Sequence, residues 1–144
     1  GRKMKAKVRQ NMQKFLIVDD ESVNCRLLKE FLAERACCDI AYSGKDALKL
    51  YTTAWETGND YDLMLLDVSM PEMDGLEVLE RIRKDEENRG IKLGTGLPII
   101  ILTAVKDSFM SAFKKGAEEY ILKPVNRETL INKIDEQLQK RAQG

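Results

Sequence analysis

Short, unbroken apolar runs alternate along this chain with longer stretches whose apolar residues recur every three or four positions. The runs KFLIVDD (14–20), CDIAY (38–42), YDLMLLD (61–67), LPIIILT (97–103) and EEYILKP (118–124) read as strands. The spacing predicts helices over 21–35, 43–56, 75–87, 106–116 and 126–140. In the first helix Val23, Leu27, Leu28, Phe31 and Leu32 form the expected inner face. In the second it is Ala47, Leu48, Tyr51 and Trp55, with Trp55 in the core or at its margin. Leu76, Leu79 and Ile82 turn inward on the third helix, as do Leu130, Ile134 and Leu138 on the last. Gly116 is placed to cap the end of the fourth helix and Asn126 the start of the fifth. The segment NRGIKLGTG (88–96) is a glycine-punctuated loop, longer than most connections in compact domains.

Strands too apolar to alternate belong in a parallel sheet covered on both faces. The predicted fold is therefore α/β: a doubly wound five-stranded parallel sheet, order 2-1-3-4-5, with five helices (flavodoxin-like). Such folds bind ligands outside the carboxyl ends of the strands. The residues expected there are Asp19 and Asp20 after the first strand, Asp67 after the third, Thr103 after the fourth and Lys123 after the fifth. Strands one and three are neighbours in this order, so three carboxylates meet. Two like charges about 4 Å apart repel by about 4 kcal/mol at an effective dielectric near 20. A hard divalent cation relieves that repulsion, and oxygen-only donors suit Mg²⁺ or Mn²⁺. An ammonium and a hydroxyl beside such a cluster suit a phosphoryl group, and a central carboxylate can accept phosphorus as a nucleophile. Each residue also has a plainer role. An Asp after a strand commonly caps a helix, as Asp20 would; a strand-end Thr packs; Lys-Pro turns the chain.

Composition narrows the picture without redirecting it. The 144 residues suit one domain. Lys plus Arg and Asp plus Glu both total 24, so net charge points to no nucleic-acid or membrane partner. Residues 1–18 nevertheless carry Arg2, Lys3, Lys5, Lys7, Arg9 and Lys14 and no acid, which marks 1–13 as a basic tail or linker before a domain spanning 14–141. No apolar run approaches the roughly 18 residues a membrane span needs, and no secretory signal opens the chain. Cys25, Cys37 and Cys38 lack C-x-x-C spacing and are expected to be small buried hydrophobes in a reduced, cytoplasmic setting. With no histidine, the chain holds neither the commonest general base nor a phosphohistidine donor.

The motifs LIVDDE, LLDVSMPEMDG, IIILTA and AEEYILKP together resemble the receiver domain of bacterial two-component response regulators, the family of the chemotaxis response regulator, over residues 14–141. The resemblance implies that Asp67 is the phosphoacceptor. It implies that Asp20, Asp67 and the Ser69 main-chain carbonyl bind Mg²⁺, with Asp19 acting largely through water. Lys123 and Thr103 would contact the phosphoryl group, and Tyr120 would be the switch aromatic coupled to Thr103. Lys123-Pro124 falls where the family has a cis peptide, and Gly75 serves the acceptor-loop turn. Ser69 and Val105 bring no acid or amide to orient water, which implies an intermediate-to-long phosphoryl lifetime. The implied partners are a sensor histidine kinase or phosphotransfer protein and an output protein reached through the fourth helix, fifth strand and fifth helix. Phe109, Met110 and Phe113 are candidates for that face, or else core residues.

The expected function is thus a phosphorylation-dependent signalling switch, with no enzymatic activity beyond phosphorylation and dephosphorylation at Asp67. It is expected to stand alone; the alternative is a receiver excised from a larger regulator or hybrid histidine kinase. A haloacid-dehalogenase-type phosphatase also uses an Asp nucleophile and Mg²⁺, but needs D-x-D after its first strand, where Asp19 and Asp20 are adjacent. A nucleotide- or flavin-binding module of the same fold would carry a glycine-rich phosphate loop there, and none follows.

Overall fold

A computed structural model of the chain describes residues 12–105 and 108–143. Most of the basic segment, residues 1–11, and the first two positions expected in the fourth helix, Lys106 and Asp107, lie outside the described residues. The elements run β1 (Gln13–Val18), α1 (Ser22–Phe31), β2 (Ala36–Ala41), α2 (Gly44–Glu56), β3 (Leu63–Asp67), α3 (Gly75–Asn88), β4 (Ile99–Thr103), α4 (Ser108–Lys114), β5 (Glu119–Leu122) and α5 (Arg127–Gln143). The sheet is parallel throughout, in the order β2-β1-β3-β4-β5.

Alternate residues of the same strands feed two cores, because side chains leave a strand on opposite faces. Leu16, Val18, Met64, Leu66, Ile99 and Ile101 pack under α2 and α3, against Ala47, Tyr51, Val78, Leu79 and Ile82. Phe15, Ile17, Leu63, Leu65, Ile100 and Leu102 pack under α1 and α5, against Cys25, Leu28, Leu32, Leu130 and Ile134. Both faces are covered, which is why β1, β3 and β4 read as continuous apolar runs.

Three helix starts are capped as their residue types demand. Ser43 Oγ accepts from the Asp46 N–H at 3.1 Å, Asp74 Oδ1 from Glu77 at 2.9 Å and Asn126 Oδ1 from Thr129 at 3.1 Å. Gly116 ends α4 at φ +105°, a left-handed conformation that costs glycine little. The long loop after α3 is tied at both ends to one residue. The Ile91 N–H donates to the Glu86 carbonyl at 2.9 Å, and the Leu97 N–H donates to the buried Glu86 carboxylate at 2.7 Å. Arg83 pairs with Glu86 and Glu118, and Arg141 pairs with Glu118 and donates to the Gly96 carbonyl, so the loop, β5 and the end of α5 share one ionic network.

Several expected inner positions are corrected. Val23 is 73% exposed and Leu27 43%, while Cys25 takes the inward place beside Leu28 and Leu32. The α1 stripe is therefore narrower than the apolar residues suggested, because a small thiol fits closer to β1 than a branched chain. Trp55 is 47% exposed, and Ala54 occupies the inward position instead. Cys37 is exposed rather than buried, since β2 is an edge strand beginning two residues earlier than expected and Cys37 points off it. Cys25 and Cys38 are buried, and burial, the largest cause, pushes both thiols up to about 11. With a thiol reagent at pH 8, mass spectrometry of peptides is expected to show Cys37 modified first, and Cys25 and Cys38 only under denaturing conditions.

Gly75, at the start of α3, is needed for space rather than for a special φ. A Cβ there would lie 2.2 Å from the Asp67 carbonyl oxygen and 2.9 Å from Val68 Cα. Its N–H donates to the Val68 carbonyl at 2.9 Å, which draws the helix start against the end of β3. Gly75→Ala is expected to cost about 2 kcal/mol or more, as overpacking against backbone does. A lower urea midpoint at unchanged slope is the expected readout.

Candidate functional site

The carboxyl edge of the sheet gathers side chains from three strand ends. Asp67 is the last residue of β3; Asp19 and Asp20 stand just beyond β1; Lys123 stands just beyond β5. Carboxylate oxygens of Asp19, Asp20 and Asp67 lie within 4.8 Å of one another. Asp19 is fully buried, Asp67 is 3% exposed and Asp20 is exposed. The Lys123 ammonium donates to Asp67 Oδ1 at 2.9 Å and to Asp19 Oδ2 at 3.3 Å. Among the described residues one cation faces three acids, so the cluster keeps excess negative charge.

Burial raises the Asp67 carboxyl above its ordinary pKa; the Asp19 charge adds to this, and Lys123 and the Ser69 N–H oppose it. Burial alone would lower the Lys123 ammonium, but its bonds and attraction to Asp67 and Asp19 hold it above its usual value. Three all-oxygen donors, close together and short of positive charge, fit a hard divalent cation.

Asp19 is positioned by backbone and side chain together. Its N–H donates to the Ala41 carbonyl at 3.1 Å, and its Oδ1 accepts from the Glu21 N–H at 2.9 Å. Asp19, not Asp20, thereby satisfies the start of α1, where the N-cap Glu21 makes no side-chain cap bond. The plainer alternative for Asp20, capping α1, is not what the structure has. Asn24 Nδ2 donates to Asp19 at 3.4 Å and to Glu21 at 3.3 Å, and the Cys25 thiol donates to the Asp19 carbonyl at 3.3 Å. Asn24 and Cys25 escaped the strand-end reasoning because they act from the first turn of α1. Their place four and five residues after Asp20 was the available signal.

Asp67, Asp19, Ser69, Lys123 and Pro124 line an open cavity of about 540 Å³, which α1 walls with Asn24, Leu27 and Leu28. The exposed Leu27 thus belongs to the rim of the site. The Lys123-Pro124 peptide is cis. Glu72, in the loop after Asp67, holds φ at 65°, uncommon for a residue with a side chain. Thr103 ends β4 and is 2% exposed; its hydroxyl accepts from the Val105 N–H at 3.0 Å. Tyr120, on β5, is half-buried and stacks on Phe109 with ring centres 5.0 Å apart, while Phe113 meets it edge-on at 5.9 Å. Met110 is 54% exposed, and Phe113 lies at the margin of exposure. Phe109 and Phe113 therefore form a partly open aromatic surface with Tyr120, not a closed core, and Met110 is exposed.

The family model of the response regulator receiver domain matches residues 15–135. The chain is similar to the response regulator ArlR of Staphylococcus saprophyticus, 35% identical over 135 residues, which cover 92% of this chain and 55% of that protein. It is also similar to the hybrid signal transduction histidine kinase I of Dictyostelium discoideum, 34% identical over 129 residues, covering 88% of this chain and 7% of that one. The chain thus spans about half the length of the first relative and a small part of the second. Among solved structures, a receiver domain from Clostridium thermocellum superposes with TM-score 0.76 at 28% identity, covering 91% of this chain and 98% of that one. The CheX-CheY-BeF3-Mg2+ complex of Borrelia burgdorferi matches with TM-score 0.74 at 25% identity, covering 86% of this chain and 87% of that one.

The raised Asp67 pKa has a definite sign. Its folded value exceeds its unfolded one, so its contribution to stability is full below the unfolded pKa and is lost as pH rises through the folded one. Above its folded pKa the carboxylate is a load on the fold. Asp67→Asn, measured with a chelator present, is expected to raise Tm by a few degrees at pH 7 and by much less at pH 4. An unchanged or lower Tm at pH 7 would show that Lys123 fully compensates the acid.

Proposed function

The chain belongs to the response regulator receiver domain family, and on that footing we propose that Asp67 is the phosphoacceptor of a phosphorylation-driven switch. The observation that carries this is the cluster itself: three carboxylates within 4.8 Å, the buried Asp67 among them, and an ammonium 2.9 Å from it. The expected donor is a phosphohistidine on a sensor histidine kinase or phosphotransfer protein, since this chain has no histidine of its own.

In the proposed step an Asp67 carboxylate oxygen attacks phosphorus, and the bond between phosphorus and the donor's imidazole nitrogen breaks. The electron pair leaves with the imidazole, which takes up a proton, and Asp67 becomes an acyl phosphate. Asp20, Asp67 and the Ser69 carbonyl would hold Mg²⁺, with Asp19 acting through water; the same oxygen donors accept Mn²⁺. Bound Mg²⁺ supplies positive charge to the phosphoryl oxygens. Lys123, already between Asp19 and Asp67, moves its donors onto the transferred group. Asp19 keeps Lys123 charged and aimed. Loss of the phosphoryl group to water returns Asp67 to its starting state.

The acyl phosphate brings a charge of about −2 to the edge of the sheet. We take Thr103 as the hydroxyl that turns toward it and Tyr120 as the ring that moves into the space released. Tyr120 is already stacked on Phe109, so its motion would alter the surface of α4, β5 and α5 that an output protein reads. The shift is a change in population between two existing arrangements.

Incubation with a small acyl-phosphate donor and Mg²⁺ tests the acceptor. Wild type is expected to take up one phosphoryl group by mass, while Asp67→Asn takes up none and chelation abolishes uptake. Lys123→Ala is expected to slow uptake by roughly a hundredfold or more, the scale of a lost charge-stabilising donor. Uptake by Asp67→Asn, or indifference to chelation, would sink the assignment. A beryllofluoride mimic tests the switch separately: an immobile Tyr120 ring would remove its role and leave Asp67 as acceptor.

A further inference from the structure

A second cavity, of about 360 Å³, opens at the amino-terminal edge of the sheet, at the opposite end of β3 and β4 from Asp67. Tyr51 and Trp55 of α2, the segment Asp60 to Asp62 before β3, and Arg141 at the end of α5 line it. Two features make its chemistry that of a receptor for cations. The first is aromatic surface that already takes them: Lys14 Nζ lies 4.4 Å from the centre of the Tyr61 ring, and the Arg89 guanidinium lies 3.5 Å from that of Trp55. The second is spare negative charge. Asp60 and Asp62 are exposed, and neither forms an ion pair among the described residues. Lys14 donates its ammonium to the Asn59 carbonyl and only its backbone N–H to Asp62, at 2.8 Å each.

That backbone bond fixes where the chain enters the fold. β1 begins at Gln13 and the Lys14 N–H is bonded to Asp62, so the described chain starts beside a residue that lines the cavity. Residues 1–11 carry Arg2, Lys3, Lys5, Lys7 and Arg9 and no acid. Eleven residues reach about 36 Å when extended, ample to cover the mouth. We propose that this cavity is a docking site for the chain's own basic segment, residues 1–11, whose cationic side chains engage Asp60 and Asp62 and cover the exposed part of Trp55. The segment is held there by charge, at high effective concentration because it is covalently attached. β3 spans roughly 17 Å, about two Debye lengths at physiological salt, so the docked cations leave the Asp67 cluster unperturbed.

Trp55 is the sole tryptophan and reports on the cavity directly. The full chain is compared with a variant carrying R2Q, K3Q, K5Q, K7Q and R9Q. The variant's Trp55 emission is expected to shift to the red, and a synthetic peptide of residues 1–11 added at low salt is expected to reverse that shift. Asp60→Asn in the same variant is expected to weaken peptide binding roughly fivefold, and NaCl at about 1 M to do at least as much. Phosphoryl uptake and far-UV circular dichroism are expected to be the same in every variant. Identical Trp55 emission with and without the five cations would overturn the proposal, as would peptide binding indifferent to Asp60→Asn. An emission shift that appears only at high protein concentration would assign the cavity to a second copy instead. One that appears only with anionic vesicles would assign the segment to a lipid surface.

Discussion

Excess negative charge at one end of β3 is the constraint around which this molecule is arranged. Asp67 is buried and faces Asp19, and one ammonium cannot neutralise three carboxylates. The fold holds this arrangement because the acids sit on rigid strand ends that cannot move apart without dismantling two cores. A flexible site would relax the repulsion by separating the groups. A rigid one retains it, and that retained imbalance is the setting that the proposed cation and phosphoryl group would meet.

The parallel sheet turns this local constraint into a division of the molecule. All strands point the same way, so the acids and Lys123 collect at one edge. The other edge carries a different electrostatic solution, in which Glu86 and Glu118 are matched by Arg83 and Arg141 and bonded to backbone. The network of Glu86 and Glu118 is charge-matched, whereas the acid cluster at the carboxyl edge is not. The aromatic group of Phe109, Phe113 and Tyr120 lies along β5 and α4 between them.

Much of this was legible in the sequence for simple reasons. Buried strands leave apolar runs, and a strand end leaves a polar residue where the run stops, so Asp67, Thr103 and Lys123 mark their own positions. Strand order followed from strict alternation of strands and helices. The sequence was less informative where side-chain identity and side-chain direction part company. Val23 and Leu27 are apolar yet point outward, because helix phase is set by the closest-packing residue, Cys25, which hydropathy hardly marks. Asp19 rather than Asp20 accepts from the Glu21 N–H, a choice between adjacent carboxylates that residue type does not decide. The need for Gly75 was legible as a turn signal, but its cause, the nearness of the Asp67 carbonyl, is a distance between segments that no local pattern encodes.

The double hold of Glu86 on the loop after α3 has a consequence for how this chain can vary. Its backbone carbonyl fixes the loop's first residues and its carboxylate fixes Leu97, so the entry to β4 is registered on α3 itself and not on the path between them. Residues between those two moorings can be lengthened, shortened or exchanged while β4, and with it Thr103 at the far end, stays in register. Two positions are denied that freedom: Gly96, where a side chain would collide with the Glu86 carboxylate, and Gly94, whose φ of +86° strains any other residue. The loop is thus a tolerant insertion point bracketed by two intolerant residues, and diversity can accumulate on this edge of the molecule without reaching the acids at the other.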